Sequence, residues 1–365
     1  MPSQSTNEDY WGTYNNHQKI KHRLVKHYLD GWLPKLTLGG FEKVIYFDTH
    51  AGRGRHNSGE YGSPIVALTS MLNHSFLPRI LRNSEVNLLF IEQDAENCVH
   101  LENELASHVL PSGMGVNILN GDAFNTLSTI VDSIGKKAFA PSFVFVDPFS
   151  FEIAGEVLQR LMRHPGVELF VNVIWRHLQL AIGHAVQGKQ VWIEKLDKIF
   201  AGREWLSIVA ASGTEAKLAS CVEAFRKMTN ARWATYMQML GNNQSPVMAL
   251  VHLTKHHQGR DLMKECMWKV CPTGDYCASR TDNGQTTFRF SQSPDLDSVE
   301  AWVVNQLSGG PARWSKLEEA IRDELWLCKH LNTVVRRMNR AGTIVGSRYD
   351  GKFARTNDPF LTLVR

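Results

Sequence analysis

Between Ile20 and Trp32 apolar residues recur at helical spacing, with Ile20, Leu24, Tyr28, Leu29 and Trp32 on one side and Lys19, Arg23, Lys26 and Asp30 on the other. This predicts an amphipathic helix within residues 1–39 that packs on the domain following it. After Gly39-Gly40 short apolar runs alternate with helical segments, the pattern of a mostly parallel sheet covered on both faces. The predicted strands are Val44–Phe47, Val86–Ile91, Gly115–Leu119, Ser142–Val146, Glu168–Ile174 and Val247–Leu253. Helices are expected at Pro64–Leu72, Glu96–Val109, Phe124–Ile134, Glu156–His164 and Asp261–Val270. Residues 175–244 read as a mainly helical insertion within a domain spanning 40–292. The fold class is α/β and Rossmann-like.

Asp282-Asn283-Gly284 is a turn signal before the β-rich run Thr286–Phe290, which predicts an antiparallel ending to the sheet. Ser293-Pro294-Asp295 then breaks the chain. Over 295–365 three helical stripes follow: Val299, Trp302, Val303 and Leu307; Leu317, Ala320 and Ile321; Leu331, Val334, Val335 and Met338. Thr343–Val345, the turn Asp350-Gly351 and Phe360–Val364 then make a hairpin. Three helices and a hairpin predict a winged helix-turn-helix domain.

Composition adds limits rather than chemistry. At 365 residues the chain accommodates a large domain and a small companion. A formal charge of +4 does not by itself announce a nucleic-acid binder. Met1 to Asn16 has no apolar core for a signal peptide and no stretch is long enough to span a bilayer, so the expected compartment is the cytoplasm, with no membrane partner. Cys266, Cys271 and Cys277 lack paired CxxC spacing, and no metal site is expected.

Chemistry concentrates at strand ends. Val44 to Arg55 is an apolar strand running through Asp48 into a turn with Ala51, Gly52 and Gly54. Such glycines let a backbone approach a ligand closely, and Asp48 is placed to orient a cationic amino-acid group. Taken alone, the pattern equally suits a tight turn beside a surface acid. Glu92 ends the next strand, where doubly wound folds bind ribose hydroxyls; Asp94 reads as a helix cap, and Ser63-Pro64 as an N-cap followed by proline. Asp122, with Ala123 and Phe124, follows the third strand and suits an adenine amine and ring. The fourth strand ends Asp147-Pro148-Phe149. Asp147 and the Pro148 carbonyl suit an amino nucleophile and Phe149 its ring; the alternative is a proline-stiffened strand end. Four successive acids in this order favour S-adenosylmethionine (SAM) over NAD, since the third position after Gly54 is Asn57 rather than the glycine of a full GxGxxG.

Through these residues the chain resembles the three-Cys-motif partner proteins, a bacterial family of predicted class I SAM-dependent methyltransferases. The resemblance rests on Phe47 to Arg55, Gly62 to Leu68, Phe90-Ile91-Glu92, Val146 to Phe149 and Gly259 to Lys269, and covers most of residues 15 to 290. His50 and Arg53 depart from that family's pattern, in which phenylalanine and proline are frequent. The resemblance implies a partner that carries the three cysteines and looks like a radical-SAM protein, and a C-terminal winged helix.

Arg336, Arg337 and Arg340 on the last helix, and Arg348, Lys352 and Arg355 around the hairpin, form a basic surface suited to DNA or RNA phosphates, although cations near a helix C-terminus also complement its dipole. Three functions stay open: methyl transfer to a nucleic-acid base amine, a non-catalytic SAM-binding scaffold or regulator, and methylation of a small molecule or protein.

Overall fold

The computed structural model describes residues 14–135, 139–271, 277–279, 296–347 and 353–364. They form two units. The first holds the described residues up to Met263 together with Cys277–Ser279, and the second holds Lys264–Cys271 and the residues from Leu296 onward.

The first unit begins with α1 (Asn16–Thr37), capped by Asn15, whose side chain accepts from the Gln18 amide while Gln18 reaches back to Asn15. This reciprocal pairing satisfies two otherwise orphaned donors. Then follow β1 (Lys43–Asp48), α2 (Ser63–Leu72), α3 (Leu77–Ile80), β2 (Glu85–Glu92), α4 (Ala95–Ala106), β3 (Met114–Asn120), α5 (Ala123–Ile134), β4 (Ser142–Val146), α6 (Gly155–Leu161) and β5 (Val167–Val173). A helical run of α7 (Trp175–Val186), α8 (Gln190–Ile199), α9 (Leu206–Ala210) and α10 (Thr214–Met228) leads to β6 (Trp233–Leu240), β7 (Pro246–Thr254), α11 (His257–Val270) and β8 (Cys277–Ser279).

The strands lie in the order β3-β2-β1-β4-β5-β7-β6-β8. Strands β1 to β5 are mutually parallel, and β7 runs antiparallel to both β5 and β6. The chain builds outward from β1 through β2 to β3, then returns to place β4 on the other side of β1. The carboxyl ends of β1 and β4 therefore flank a topological switch point, the crevice where open α/β sheets take ligands. Every residue of β4 and β5 is buried, because helices cover both faces of the sheet. Phe143 of β4 stacks on Tyr28 of α1 with ring centroids 4.6 Å apart, and Trp32 follows one turn later at 6.2 Å.

The stretch 175–244 is mainly helical and carries near its end β6, a sheet strand that was not expected. Its sequence WATYMQML is rich in good helix formers, and pairing with β7 overrides that propensity. The sheet's last described strand, β8, is parallel to β6, and the expected antiparallel ending, with the turn Asp282-Asn283-Gly284 and the run Thr286–Phe290, lies outside the described residues. The N-cap of α2 is Gly62, with Ser63 already helical.

The second unit packs α12 (Leu296–Ser308), β9 (Ala312–Arg313), α13 (Trp314–Ala320), α14 (Cys328–Arg340), β10 (Ile344–Ser347) and β11 (Phe360–Leu363) around one core that includes Val303, Trp314, Leu331, Val335 and Leu361. Its sheet runs β10-β11-β9, with both pairings antiparallel. Lys264 belongs to this unit rather than to the domain ending at residue 292. Its buried ammonium donates to the backbone carbonyls of Ile321, Arg322, Glu324 and Trp326, and the Trp268 indole donates to Leu325. A cation serving otherwise orphaned carbonyls beyond a helix end satisfies both their hydrogen bonding and the dipole.

Candidate functional site

The turn after β1 is a built object. Gly52 and Gly54 have φ of 65° and 87°, left-handed values that suit glycine, and a Cβ on Gly54 would meet Leu101 Cδ1 at 2.9 Å. The Ala51 amide donates to the Ile91 carbonyl at 2.9 Å, and the Gly62 amide donates to the Gly54 carbonyl at 2.7 Å. Arg55 pairs with both oxygens of Glu104 on α4 and lies over the Tyr61 ring.

Glu92, at the end of β2, braces the same turn. Its Oε2 accepts from the Gly52 amide at 2.7 Å and its Oε1 from the Asp94 amide at 2.8 Å. Each oxygen keeps acceptor capacity for one further donor, as a ribose hydroxyl would supply. Asp94 caps α4, accepting from Glu96 and Asn97.

Asp48 is fully buried beside this turn. Its Oδ1 accepts a long hydrogen bond of 3.3 Å from the His50 amide, and its Oδ2 has no partner. Burial is the main influence that pushes its carboxyl up to about 7, with Asp147 and Glu92 adding to the rise while nearby Ser63 and the His50 amide oppose it. A buried acceptor without a donor is costly. It is also what a site for a cationic ligand group requires before the ligand arrives.

Asp147, at the end of β4, has the opposite electrostatics. Burial alone would raise its carboxyl, but the Lys21 ammonium, Asn172 and His50 together hold it below the usual carboxylate range. Lys21 Nζ lies 2.5 Å from Oδ2, and Asn172 Nδ2 donates to Oδ1 at 2.6 Å. Burial takes the two neighbouring imidazoles down, His50 to about 4 and His22 to about 3, so both are neutral at physiological pH. Each Asp147 oxygen thus holds one donor from the protein and, like those of Glu92, keeps acceptor capacity for one more.

Above these groups lies a cleft of about 1000 Å³, lined in part by His50, Gln93, Asp122, Phe124, Pro148 and Phe149. That is the upper end of the range for small-molecule sites. Asp122 borders it while capping α5 through the Asn125 amide at 2.9 Å. Phe124 sits 6.1 Å from the His50 ring, and Phe149 is 59% exposed. The predicted residues thus separate into two layers. Asp122, Phe124, Pro148 and Phe149 line the cleft, whereas Asp48, Ala51, Gly52, Gly54, Glu92, Ala123 and Asp147 are not among its lining.

Lys21, Asn172 and His50 were missing from the candidate residues. Lys21 falls within the apolar arc of α1 between His17, Leu24 and Val25, and a lysine at a buried helix position is a readable signal. Asn172 likewise interrupts the apolar run of β5.

In the second unit Arg337 pairs with Asp297 and Glu300, so it is not an open phosphate contact. Arg355 pairs with Glu318 and Glu319. Lys329, Thr333, Arg336 and Arg340 are exposed at helical spacing on α14. Arg348 and Lys352 lie outside the described residues.

No protein-family model and no curated protein sequence matches the chain. Solved structures similar to it include human methyltransferase-like protein 13 in complex with SAH, at 11% identity, TM-score 0.34, 74% of this chain and 98% of that one. An O-methyltransferase from Bacillus cereus in complex with SAH matches at 11% identity and TM-score 0.33, over 67% of this chain and 83% of its own. A putative O-methyltransferase from Klebsiella pneumoniae matches at 14% identity and TM-score 0.32, over 68% of this chain and all of its own length.

Proposed function

We propose that the first unit is a SAM-dependent methyltransferase. The observation that carries this reading is Asp48, an acid sealed against a left-handed glycine turn at the switch point, whose buried Oδ2 lacks a well-formed hydrogen bond although the Ser63 and Tyr46 hydroxyls lie near the carboxyl. The ammonium of SAM supplies a donor and a positive charge of the kind that oxygen lacks. Glu92 has capacity for ribose hydroxyls, and Asp122 with Phe124 borders the cleft where an adenine would lie. The residues present fit the cofactor. SAM supplies an electrophilic methyl group on its sulfonium. The protein's part is then orientation and proton management.

For the acceptor, a nucleic-acid base amine remains the reading of choice. Asp147 is not among the cleft's lining, and the groups there suited to an acceptor are the Pro148 carbonyl and the exposed ring of Phe149, which fits stacking on an extruded base. The second unit has three helices and a three-stranded antiparallel sheet, consistent with a winged helix whose α14 lies along phosphates through Lys329, Arg336 and Arg340. The proposed partner is the three-Cys-motif, radical-SAM-like protein.

Calorimetry with SAM, SAH and NAD on the wild-type chain and Asp48→Asn tests the cofactor. The expected result is SAM and SAH binding that weakens at least tenfold in the variant. A preference for NAD, or unchanged affinity in Asp48→Asn, overturns it. Labelled SAM offered with DNA, RNA and the partner then identifies the acceptor, and label appearing on a protein or small molecule instead would overturn the base assignment.

A further inference from the structure

A second cleft of about 650 Å³ opens in the first unit where β5 ends and α7 begins, and the turn between β6 and β7 contributes another of its walls. Arg176 and His177 come from the first turn of α7, Asn242, Asn243 and Ser245 from the β6–β7 turn, and His17 from α1. The His17 Nε2 donates to the Leu240 carbonyl at 3.0 Å, which ties α1 to the end of β6.

The chemistry of this lining is one-sided. Among the described residues none that lines it is an aspartate or glutamate, and its charge comes from Arg176, which is exposed. The amino end of α7 borders the cleft at Ile174 and carries no side-chain cap, so the positive end of a 12-residue helix adds to the guanidinium. The Ser245 hydroxyl and amide donate to Asn243 Oδ1, which holds the Asn243 side chain in place and turns its Nδ2 donor, with the Asn242 amide, to an uncharged heteroatom-rich body rather than a second charge. A guanidinium and a helix amino end are each groups that favour a phosphate.

We propose that this cleft is a binding site for a phosphate-bearing ligand of nucleotide size, with Arg176 clamping the phosphate and Asn242 and Asn243 contacting the uncharged body. Two elements carry residues of both this cleft and the Asp147 cluster. Asn172, which donates to Asp147, precedes Ile174 by two residues on β5, and Lys21 follows His17 by one turn on α1. On the proposed function, and resting on it, the ligand is a nucleotide of the strand that carries the acceptor base, with that base itself at Phe149 of the first cleft.

The test is calorimetry with cytidine 5′-monophosphate and with cytidine, run with SAH saturating the first cleft so that the adenosine site is not read by mistake. The monophosphate is expected to bind at least tenfold more tightly than cytidine. Arg176→Gln removes that difference, and Asn242→Ala with Asn243→Ala weakens both probes. SAH affinity stays unchanged in all variants, which also shows that they fold. Equal affinity for the two probes, no binding of the monophosphate, or an unaltered preference in Arg176→Gln overturns the proposal. Failure of SAH to bind overturns the methyltransferase reading instead, and the monophosphate titration then stands by itself.

Discussion

Oδ2 of Asp147 and Nζ of Lys21 lie 2.5 Å apart and join the end of β4 to the second turn of α1, with side chains only 12% and 7% exposed. Breaking a buried pair by removing one partner leaves an uncompensated charge, which typically costs about 3–5 kcal/mol. Lys21→Met is therefore expected to lower the unfolding free energy measured in urea by that order, and Lys21→Met combined with Asp147→Asn to recover a large part of the loss. Because the Asp147 carboxyl is depressed below its usual 3.8, its contribution is present above that pH and is lost as acid protonates it in the folded state. Equal acid sensitivity of the wild type and the double variant would show that the pair does not stabilise the fold.

Asp48 produces the opposite slope. Its folded carboxyl, raised to about 7 chiefly by burial, holds a proton that the unfolded chain releases near 3.8. The folded state binds more protons across that interval, so stability falls as pH rises from about 4 to 7 and levels off above. Asp48→Asn removes this slope and is expected to be more stable than the wild type at pH 8 by on the order of 3 kcal/mol. Chemical denaturation at pH 5 and pH 8 checks it, and a parallel decline in both proteins would refute the assignment.

At Gly54 a methyl group meets both a left-handed backbone and the Leu101 side chain at 2.9 Å. Gly54→Ala is expected to cost roughly 1–2 kcal/mol from backbone conformation alone, and to weaken SAH binding by disturbing the turn beside Asp48. Thermal unfolding with and without SAH measures both effects.

Phe149 is exposed at the cleft and adds little to the core. Phe149→Ala should change stability by no more than about 0.5 kcal/mol while reducing methyl transfer to nucleic acid at least tenfold. Full activity in this variant would place the acceptor elsewhere.

On α14, Arg337 is tied to Asp297 and Glu300 while Arg336 and Arg340 are exposed on the face they share with Lys329. Arg336→Ala and Arg340→Ala are each expected to reduce the salt dependence of DNA affinity by about one unit of slope, and Arg337→Ala to leave it nearly unchanged. Filter-binding titrations across salt concentrations distinguish the three.

Much of this molecule can be read from the chain alone. The runs at Val44–Phe47, Val86–Ile91 and Ser142–Val146 lie within or coincide with β1, β2 and β4, because a parallel strand largely covered on both faces is mostly apolar. The acids Asp48, Glu92, Asp122 and Asp147 were visible because each ends or follows such a run. What the linear order does not carry is which groups meet across the sheet. Lys21 and Asp147 are 126 residues apart, and Asn172 reaches Asp147 from the neighbouring strand. Strand β6 hid for a related reason, since its residues favour a helix until β7 pairs with them. Local periodicity expresses how each segment buries itself. Charge and hydrogen bonding depend on distances that exist only once the segments have packed, and so the tertiary structure alone decided that one acid is satisfied and another left waiting.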